Sequence, residues 1–136
     1  MYSVRAAVLE DLPTVDRIAK ASQDSLGSMY QFIFKAAIEY ESQSLLVACK
    51  EDSEVVGFMR WERGIEGWDT IHQICVRQDF RGEGIGRLLL CQIPRPVRLR
   101  CLVGAESNSF FKHLGFALAG EVGKRNIWLR FKGKAV

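Results

Sequence analysis

The sequence has few of the residues from which metal centres and disulfide scaffolds are built. It contains two histidines and four cysteines among 136 residues. Cys49, Cys75, Cys91 and Cys101 show no C-x-x-C spacing, which a structural zinc site or a redox motif would use. We therefore expect no metal site and four reduced, mostly buried thiols, as in a cytoplasmic protein.

Long apolar segments and a strong excess of one charge are also missing. No apolar run approaches the ~20 residues that a membrane helix requires, and the N-terminus lacks the basic and apolar regions of a secretory signal. The net charge of +3 is too small to indicate a nucleic-acid surface, and the basic clusters do not interleave aromatic residues in the way that a stacking platform for single strands would. We expect no nucleic-acid partner, no membrane partner and a cytoplasmic location.

What is present is the composition of a globular domain. Hydrophobic residues make up 48% of the chain and charged residues 26%. The length permits a buried core and no linker or repeat interrupts it, so we predict a single domain over residues 1–136. Periodicity and turn residues predict an α+β order: strand 3–8, helix from 11, helix 30–40, strands 44–50 and 55–60, a strand ending at 76, helix from 84 to before 94, strand 97–103, helix 108–114, strands 116–122 and 126–131. Asp11 is expected to cap the first helix and Gly115 to be the C-cap of the last, and the last two strands are expected to form a hairpin around Gly123 and Lys124.

The most informative pattern is a glycine-rich segment between a strand and a helix. The strand ends near Val76, and an apolar helical stripe begins at Ile85. Between them Gly82, Gly84 and Gly86 leave the backbone without side chains where the first helical N–H groups have no intrahelical partner. This arrangement predicts a loop that binds a phosphate group. The alternative is that the glycines only form a tight strand-to-helix turn.

The residues after the loop exclude the two best-known phosphate-binding motifs. A Walker A loop requires Gly-Lys-Ser/Thr, whereas Gly86 is followed by Arg87 and Leu88. A Rossmann fingerprint requires a third glycine where Arg87 stands. A nucleotide-binding module for ATP or NAD stays as an alternative, and it predicts that these ligands, not coenzyme A, raise the melting temperature.

Two motifs in sequence order resemble those of the GNAT acyltransferase superfamily. The first, Arg81-x-x-Gly84-x-Gly86, resembles its acetyl-CoA signature, and the second, SNSFFKHLGF over residues 107–116, resembles its Asn, Phe-Tyr and Leu-Gly-Phe hallmark. The resemblance covers about residues 71–116. It implies a GNAT-like fold, with a mostly antiparallel central sheet, a splayed strand pair and flanking helices. It also implies an N-acetyltransferase that transfers the acetyl group of acetyl-CoA directly to a primary amine in a ternary complex.

The resemblance also implies which residues bind the cofactor. The N–H groups of Glu83, Ile85 and Arg87 would face the pyrophosphate, and the pantetheine arm would pair with the strand before the loop. A backbone N–H of Val76 or Ile74 would polarise the thioester carbonyl, although both are equally compatible with ordinary buried strand residues. The full set of implied cofactor-binding residues is Ile74, Cys75, Val76, Arg81, Gly82, Glu83, Gly84, Ile85, Gly86, Arg87, Asn108 and Phe111.

His72 is the candidate general base. It lies two residues before Ile74, so strand alternation places both side chains on one face, and some members of the family carry a histidine or glutamate there. Imidazole titrates near neutral pH, which suits proton abstraction from an amine. The alternative is a histidine that lines the pocket or satisfies a hydrogen bond. Asp69, acting through water, and Glu66 are weaker candidates, and we expect His113 at the surface.

No acid for the leaving thiolate is evident. Many family members place a tyrosine where this chain has Phe111, which has no hydroxyl. Three alternatives stay open: the thiolate leaves unprotonated, a hydroxyl of Ser107, Ser109 or Tyr30 substitutes, or the domain binds acyl-CoA without turnover. The last is the rival function, a non-catalytic acyl-CoA-binding or regulatory domain.

The acceptor is expected to be a small-molecule or peptide amine. Polyamine, antibiotic, amino acid and protein amines all stay open. Specificity would come from about residues 22–40 and from the C-terminal part, with Asp24, Tyr30, Phe34, Glu39 and Trp61 as candidate pocket residues. An exposed strand edge near the C-terminus makes a homodimer a further expectation.

Overall fold

The computed structural model describes residues 1–22, 27–40, 44–105 and 107–131. The strands are β1 (Ser3–Ala6), β2 (Leu45–Cys49), β3 (Val55–Glu62), β4 (Asp69–Val76), β5 (Val97–Leu102), β6 (Ala117–Val122) and β7 (Arg125–Arg130). The helices are α1 (Leu12–Ser22), α2 (Gly27–Tyr40), α3 (Ile85–Leu90) and α4 (Ser107–His113), and short 3-10 helices cover Leu9–Asp11 and Gln78–Phe80. None of the helices in the described ranges has the length and apolar character that a membrane crossing needs.

The described strands form a mixed, mostly antiparallel sheet. Its strand order is β1-β2-β3-β4-β5-β7-β6. The register of the parallel pair β4 and β5 joins Asp69 to Val97 and Thr70 to Arg98, and thus covers only the first two residues of each strand. The predicted α+β class and the splayed strand pair are confirmed.

The residues cluster into two compact units. The first unit consists of Met1–Trp61 and Gln73–Leu90, and the second of Glu62–His72 and Cys91–Val136. The single domain over residues 1–136 stays a prediction.

In the first unit, helices α1 and α2 cover one face of the antiparallel strands β1 to β3. Leu45 and Val47 of β2 alternate toward a core that includes Val15 of α1 and Phe34 of α2. The ring of Phe34 packs edge to face on Phe58, with centroids 5.1 Å apart. Phe34 is fully buried in this core, so of its two alternatives, core residue or pocket wall, the structure supports the core.

Helix α3 approaches the sheet closely because β3 has a glycine beneath it. A Cβ on Gly57 would lie 3.3 Å from Cγ2 of Ile85 and 3.0 Å from the Cys75 carbonyl oxygen. The helix ends at Leu90, earlier than the predicted end before Pro94. Its early end allows Ile93 to be fully buried and its carbonyl to accept a hydrogen bond from Arg130 Nη2 at 2.7 Å.

In the second unit, side chains alternate between buried and exposed along β5, and glycines form the turns after α4 and β6. Along β5, Val97, Leu99 and Cys101 are buried and the intervening residues are exposed. Gly115 ends α4 with a φ of +91° and donates its N–H to the Lys112 carbonyl, which confirms the predicted C-cap. Gly123 turns β6 into β7 with a φ of +62°, as the predicted hairpin requires.

Asp11 has a different role from the one its position predicts. Instead of capping a helix that begins with it, its carboxylate accepts the Val8 N–H at 2.8 Å and both Nη atoms of Arg5, at 2.7 and 3.0 Å. Burial acts to raise the pKa of Asp11, but the hydrogen bonds from Arg5 and Val8 outweigh it and lower the pKa below its usual value. The carboxylate therefore ties β1 to the segment that precedes α1.

An Asp11→Asn variant is expected to be less stable by about 1–2 kcal/mol at pH 7, because a charged acceptor is replaced by a neutral one. Since the folded-state pKa is depressed, the carboxylate stabilises the fold above its unfolded pKa, and this stability is lost as pH falls through the folded pKa. Urea denaturation at a series of pH values should show the gap between the two proteins closing in acid. A gap that widens as pH falls would contradict this assignment.

Candidate functional site

The glycine loop joins the end of β4 to the start of α3 inside the first unit. Gly82 and Gly84 have φ angles of +84° and +85°, which side chains other than glycine rarely adopt. A Cβ on either residue would meet no heavy atom within 4 Å. Backbone conformation, not packing, therefore requires these glycines. The carbonyl of Gly84 accepts the Leu88 N–H at 3.0 Å, so α3 begins directly at the loop.

The entry to the loop is held by hydrogen bonds to the end of β4. Arg81 Nε donates to the Val76 carbonyl oxygen at 3.1 Å. Arg77 donates its N–H to the Val56 carbonyl at 2.8 Å, and its guanidinium pairs with Glu54 and, at 3.0 Å, with Asp79. Hydrogen bonds from Lys50 and then Arg77 hold the pKa of Glu54 below its usual value. These contacts fix the direction in which the chain leaves the strand.

A cavity of about 480 Å³ lies beside the loop entry, within the first unit. Helix α1 forms one wall and the chain after β4 forms the other; the lining residues are Thr14, Arg17, Ile18, Ala21, Glu54, Val76, Arg77, Gln78, Asp79 and Arg81. The carboxylates of Glu54 and Asp79 both pair with Arg77. Arg17 has no ion pair in the described part of the chain, so together with Arg81 it leaves the cavity with excess positive charge. Such a cavity favours an anionic ligand.

In the second unit, His72 is paired with a carboxylate. Its Nε2 lies 3.0 Å from Oε1 of Glu62, and the two side chains are 33% and 63% exposed. With the proton on Nε2, the ring donates to Glu62 and presents Nδ1 as an acceptor. The carboxylate therefore orients the ring, as a base that takes up a proton requires.

The other acidic candidates near His72 are placed differently. Asp69 is fully buried, and its Oδ1 accepts the Gly64 N–H at 3.0 Å and lies 3.6 Å from Arg95 Nε. Arg95 Nη2 in turn donates to the Gly64 carbonyl at 2.8 Å. Asp69 thus closes the turn before β4, while Glu66 is exposed in that turn. His113 is exposed on α4, as predicted.

Asn108 forms a hydrogen-bonding centre in the second unit. Its Nδ2 donates to three carbonyl oxygens of the turn between β5 and α4, those of Leu102, Val103 and Ala105, at 2.8, 3.0 and 2.9 Å. Its Oδ1 accepts from Trp128 Nε1 at 2.8 Å and from Asn126 Nδ2 at 3.1 Å. The side-chain amide is thus fully used within the protein, and it joins β5, α4 and β7.

Phe111 lies next to this centre in an aromatic cluster. It is 6% exposed, and its ring centroid is 5.4 Å from that of Phe110 and 5.7 Å from that of Phe116. The position is therefore apolar and without a proton to donate. Of the alternative donors, Ser107 has its hydroxyl 3.2 Å from Cys101 Sγ and Ser109 is exposed.

Comparison with known families identifies the class of enzyme. Residues 41–118, more than half of the chain, match the acetyltransferase (GNAT) domain family. The chain belongs to the GNAT family. This GNAT protein is an N-acetyltransferase, and acetyl-CoA is its co-substrate, as the motifs predict.

The chain is similar in sequence to one acetyltransferase relative, and similar in fold to two solved structures. A protein of Pseudomonas phage PaMx11 named 5-NmdU N-acetyltransferase is 28% identical over 128 residues, which cover 89% of this chain and 91% of that protein. A GNAT acetyltransferase structure from Bacillus cereus has a TM-score of 0.76 at 20% identity and covers 97% of this chain and 98% of its own. The PaiA N-acetyltransferase of Thermoplasma acidophilum, solved with coenzyme A, has a TM-score of 0.72 at 18% identity, over 96% and 99% of the two chains.

The predicted GNAT site residues are distributed over both units. The first contains Ile74, Cys75, Val76 and the loop from Arg81 to Arg87, and the second contains His72, Asn108 and Phe111. Their roles stay predictions. Asp24 and the side chain of Tyr30 lie outside the described residues, Glu39 is exposed and Trp61 is half-buried. Within the described residues no group of three or more histidine, cysteine or acidic side chains is placed to hold a metal ion.

Several GNAT residues with defined contacts are not indicated by the sequence pattern. Glu62 pairs with His72 ten positions away, and Arg17 lines the cavity because of the orientation of α1. Asn126 and Trp128 carry a weak signal, because residues two apart on a strand share a face. That spacing alone does not identify Asn108 as their partner.

Proposed function

We propose that this GNAT enzyme transfers the acetyl group of acetyl-CoA directly to a primary amine in a ternary complex, with His72 as the general base. The observation that carries the proposal is the 3.0 Å contact between His72 Nε2 and the Glu62 carboxylate on the exposed end of β3. A histidine held in this way has an oriented ring and a partner for the charge it gains.

The proposed reaction has a simple balance of bonds and protons. Nδ1 of His72 takes one proton from the ammonium form of the acceptor, directly or through water. The neutral amine then attacks the thioester carbonyl carbon, whose oxygen is polarised by the backbone N–H of Val76 or Ile74. The C–N bond forms, the C–S bond breaks, and the coenzyme leaves as a thiolate that takes a proton from solvent, since Phe111 offers none. The amine loses its second proton to solvent as the amide forms, and His72 then returns the first proton to solvent, so the complete reaction releases one proton.

The loop is proposed to bind the cofactor. The N–H groups of Glu83, Ile85 and Arg87 would face the pyrophosphate, with Gly82, Gly84 and Gly86 allowing its close approach. The open surface at Gly82 and Gly84 and the positive cavity at Arg17 and Arg81 support this placement. The pantetheine arm would pair with the backbone of Ile74, Cys75 and Val76. Asn108 would contact the cofactor in addition to its structural role.

A Gly84→Ala variant is expected to raise KM for acetyl-CoA roughly tenfold or more, because a Cβ at a φ of +85° costs about 1–2 kcal/mol and the loop relaxes to another conformation. Steady-state kinetics with varied acetyl-CoA measure the change. The matched control is Gly123→Ala, which places the same strain at a φ of +62° in the β6–β7 turn. The control should lose stability but keep its KM, and an equal rise in both variants would contradict a binding role for the loop.

The acceptor is tested with a panel of amines. The phage relative is named for 5-NmdU, so this amine belongs in the panel beside polyamines, aminoglycosides, amino acids and peptides. Release of free thiol from acetyl-CoA, measured above uncatalysed hydrolysis, identifies an acceptor. Binding of coenzyme A without amine-dependent release across the panel would favour the non-catalytic, regulatory alternative. A melting temperature raised by ATP or NAD and not by coenzyme A would favour a nucleotide-binding module.

Two further features are proposed for the assembly and its location. All six residues of the edge strand β6 are exposed, which makes it the place where a second copy would add in a homodimer. Light scattering after size exclusion measures this state, and a monomer at all concentrations would reject it. The proposed cytoplasmic location is supported by the four cysteines, which are all thiols.

A further inference from the structure

The N-terminal tyrosine contacts the glycine loop. The hydroxyl of Tyr2, which immediately precedes β1, donates a hydrogen bond to the carboxylate of Glu83. The tyrosine ring also packs edge-on against Phe80, with centroids 6.4 Å apart. Phe80 is itself held by two cations, Lys50 Nζ at 5.5 Å and Arg77 Cζ at 5.0 Å from its ring centroid. Tyr2 therefore meets both the loop and the short helix that leads into it.

Glu83 is chemically out of place in a loop that binds a diphosphate. It is the one acidic residue between Arg81 and Arg87, and it stands between two glycines with positive φ. A carboxylate near the pyrophosphate would repel it, and the flanking glycines permit the backbone to turn toward or away from the cofactor. The contact with Tyr2 settles which direction the carboxylate takes, because it holds the group toward the start of β1.

The phenol is suited to this task at neutral pH. The hydrogen bond to Glu83 raises the pKa of Tyr2, and partial desolvation and the negative charge of Glu83 act in the same direction. The hydroxyl therefore stays a neutral donor, which neither adds negative charge beside the loop nor competes with the cofactor for its N–H groups.

We propose that Tyr2 is a positioning residue for cofactor binding: it holds Glu83 aside and fixes the loop in the conformation that accepts the pyrophosphate. The inference rests on the proposed binding of acetyl-CoA by the loop. Tyr2 acts only through Glu83 and Phe80, so its removal should weaken binding of the cofactor without changing the chemical step.

The test is a double-mutant cycle of Tyr2→Phe and Glu83→Ala. Tyr2→Phe alone keeps the ring on Phe80 and should raise KM for acetyl-CoA about three- to tenfold with kcat unchanged. In the Glu83→Ala background the same change should have no effect on KM. The matched control is Glu10→Ala, which removes an exposed carboxylate from the 3-10 helix Leu9–Asp11 and should leave KM unchanged.

Calorimetric titration with coenzyme A tests the role of Tyr2 separately from the binding role of the loop. If Tyr2→Phe binds coenzyme A as tightly as the wild type does, the role of Tyr2 is overturned while the loop assignment stands. An equal loss of affinity with and without Glu83 would also overturn it, because the effect would then not pass through the carboxylate. If wild type binds coenzyme A and Gly84→Ala binds it equally well, the loop assignment fails and this inference with it.

Discussion

A His72→Ala variant is expected to lose roughly 10²- to 10³-fold in kcat/KM for the amine at neutral pH, because a positioned general base contributes about that factor. KM for acetyl-CoA should stay close to the wild-type value, since the proton is taken from the acceptor. The side chain is 33% exposed, so the free energy of unfolding should change by no more than about 0.5 kcal/mol. Thiol release with both substrates varied, together with urea denaturation, measures the three quantities.

The pH profile distinguishes a base from a residue that only shapes the pocket. As pH rises toward the pKa of the acceptor, near 10 for an alkyl amine, more amine arrives already neutral and the need for a base declines. The deficit of His72→Ala should therefore shrink steadily with rising pH. A deficit of constant size would indicate that His72 contributes shape or binding and takes no proton.

Two variants control for the histidine and for its partner. Glu62→Gln keeps the hydrogen bond to His72 but removes the charge, so a smaller loss of about three- to tenfold is expected. His113→Ala removes the other histidine, which is exposed on α4, and should leave the rate unchanged. A His72→Ala enzyme with wild-type kcat/KM would reject the base assignment, and the remaining route would be an acceptor that loses its proton to water.

Features that depend on local chemistry could be predicted from the sequence. The glycine loop, the C-cap at Gly115 and the β6–β7 turn at Gly123 each need a backbone conformation that glycine permits, and the structure has positive φ at Gly84, Gly115 and Gly123. Strand alternation likewise predicts the buried positions of β5. The alternating burial of a strand and the backbone conformation of a turn are each determined by a few neighbouring residues.

Features that depend on which of several possible partners a side chain contacts could not be predicted. Tyr2 and Glu83 are 81 positions apart, and nothing near either residue indicates the other. Asp11 has the residue type and position of a helix cap, yet Arg5 and Val8 compete for its carboxylate and take it. Phe34 has the spacing of both a pocket wall and a core residue, and only packing against Phe58 decides for the core.

Asn108 carries the second large prediction, an effect on stability. An Asn108→Ala variant should be less stable by about 2–4 kcal/mol, because it removes the acceptor of Trp128 Nε1 and the side-chain donor to three carbonyls, although those of Leu102 and Ala105 keep a backbone N–H donor. For a chain of this size the melting temperature should fall by roughly 8–15 °C. The control is Asn126→Ala, which removes one hydrogen bond to Asn108 at 3.1 Å and should cost about 1 kcal/mol. Equal losses in the two variants would contradict a central role for Asn108.

The same variant decides whether Asn108 also touches the cofactor. Its amide already bonds to five partners within the second unit, so a purely structural role predicts that activity is lost only as the protein unfolds. Below the melting transition, Asn108→Ala would then keep the wild-type KM for acetyl-CoA. If the side chain also contacts the cofactor, KM for acetyl-CoA should instead be raised in the fully folded variant, because alanine cannot make that contact. Kinetics at 10 °C, compared with the folded fraction from circular dichroism, distinguish the two roles.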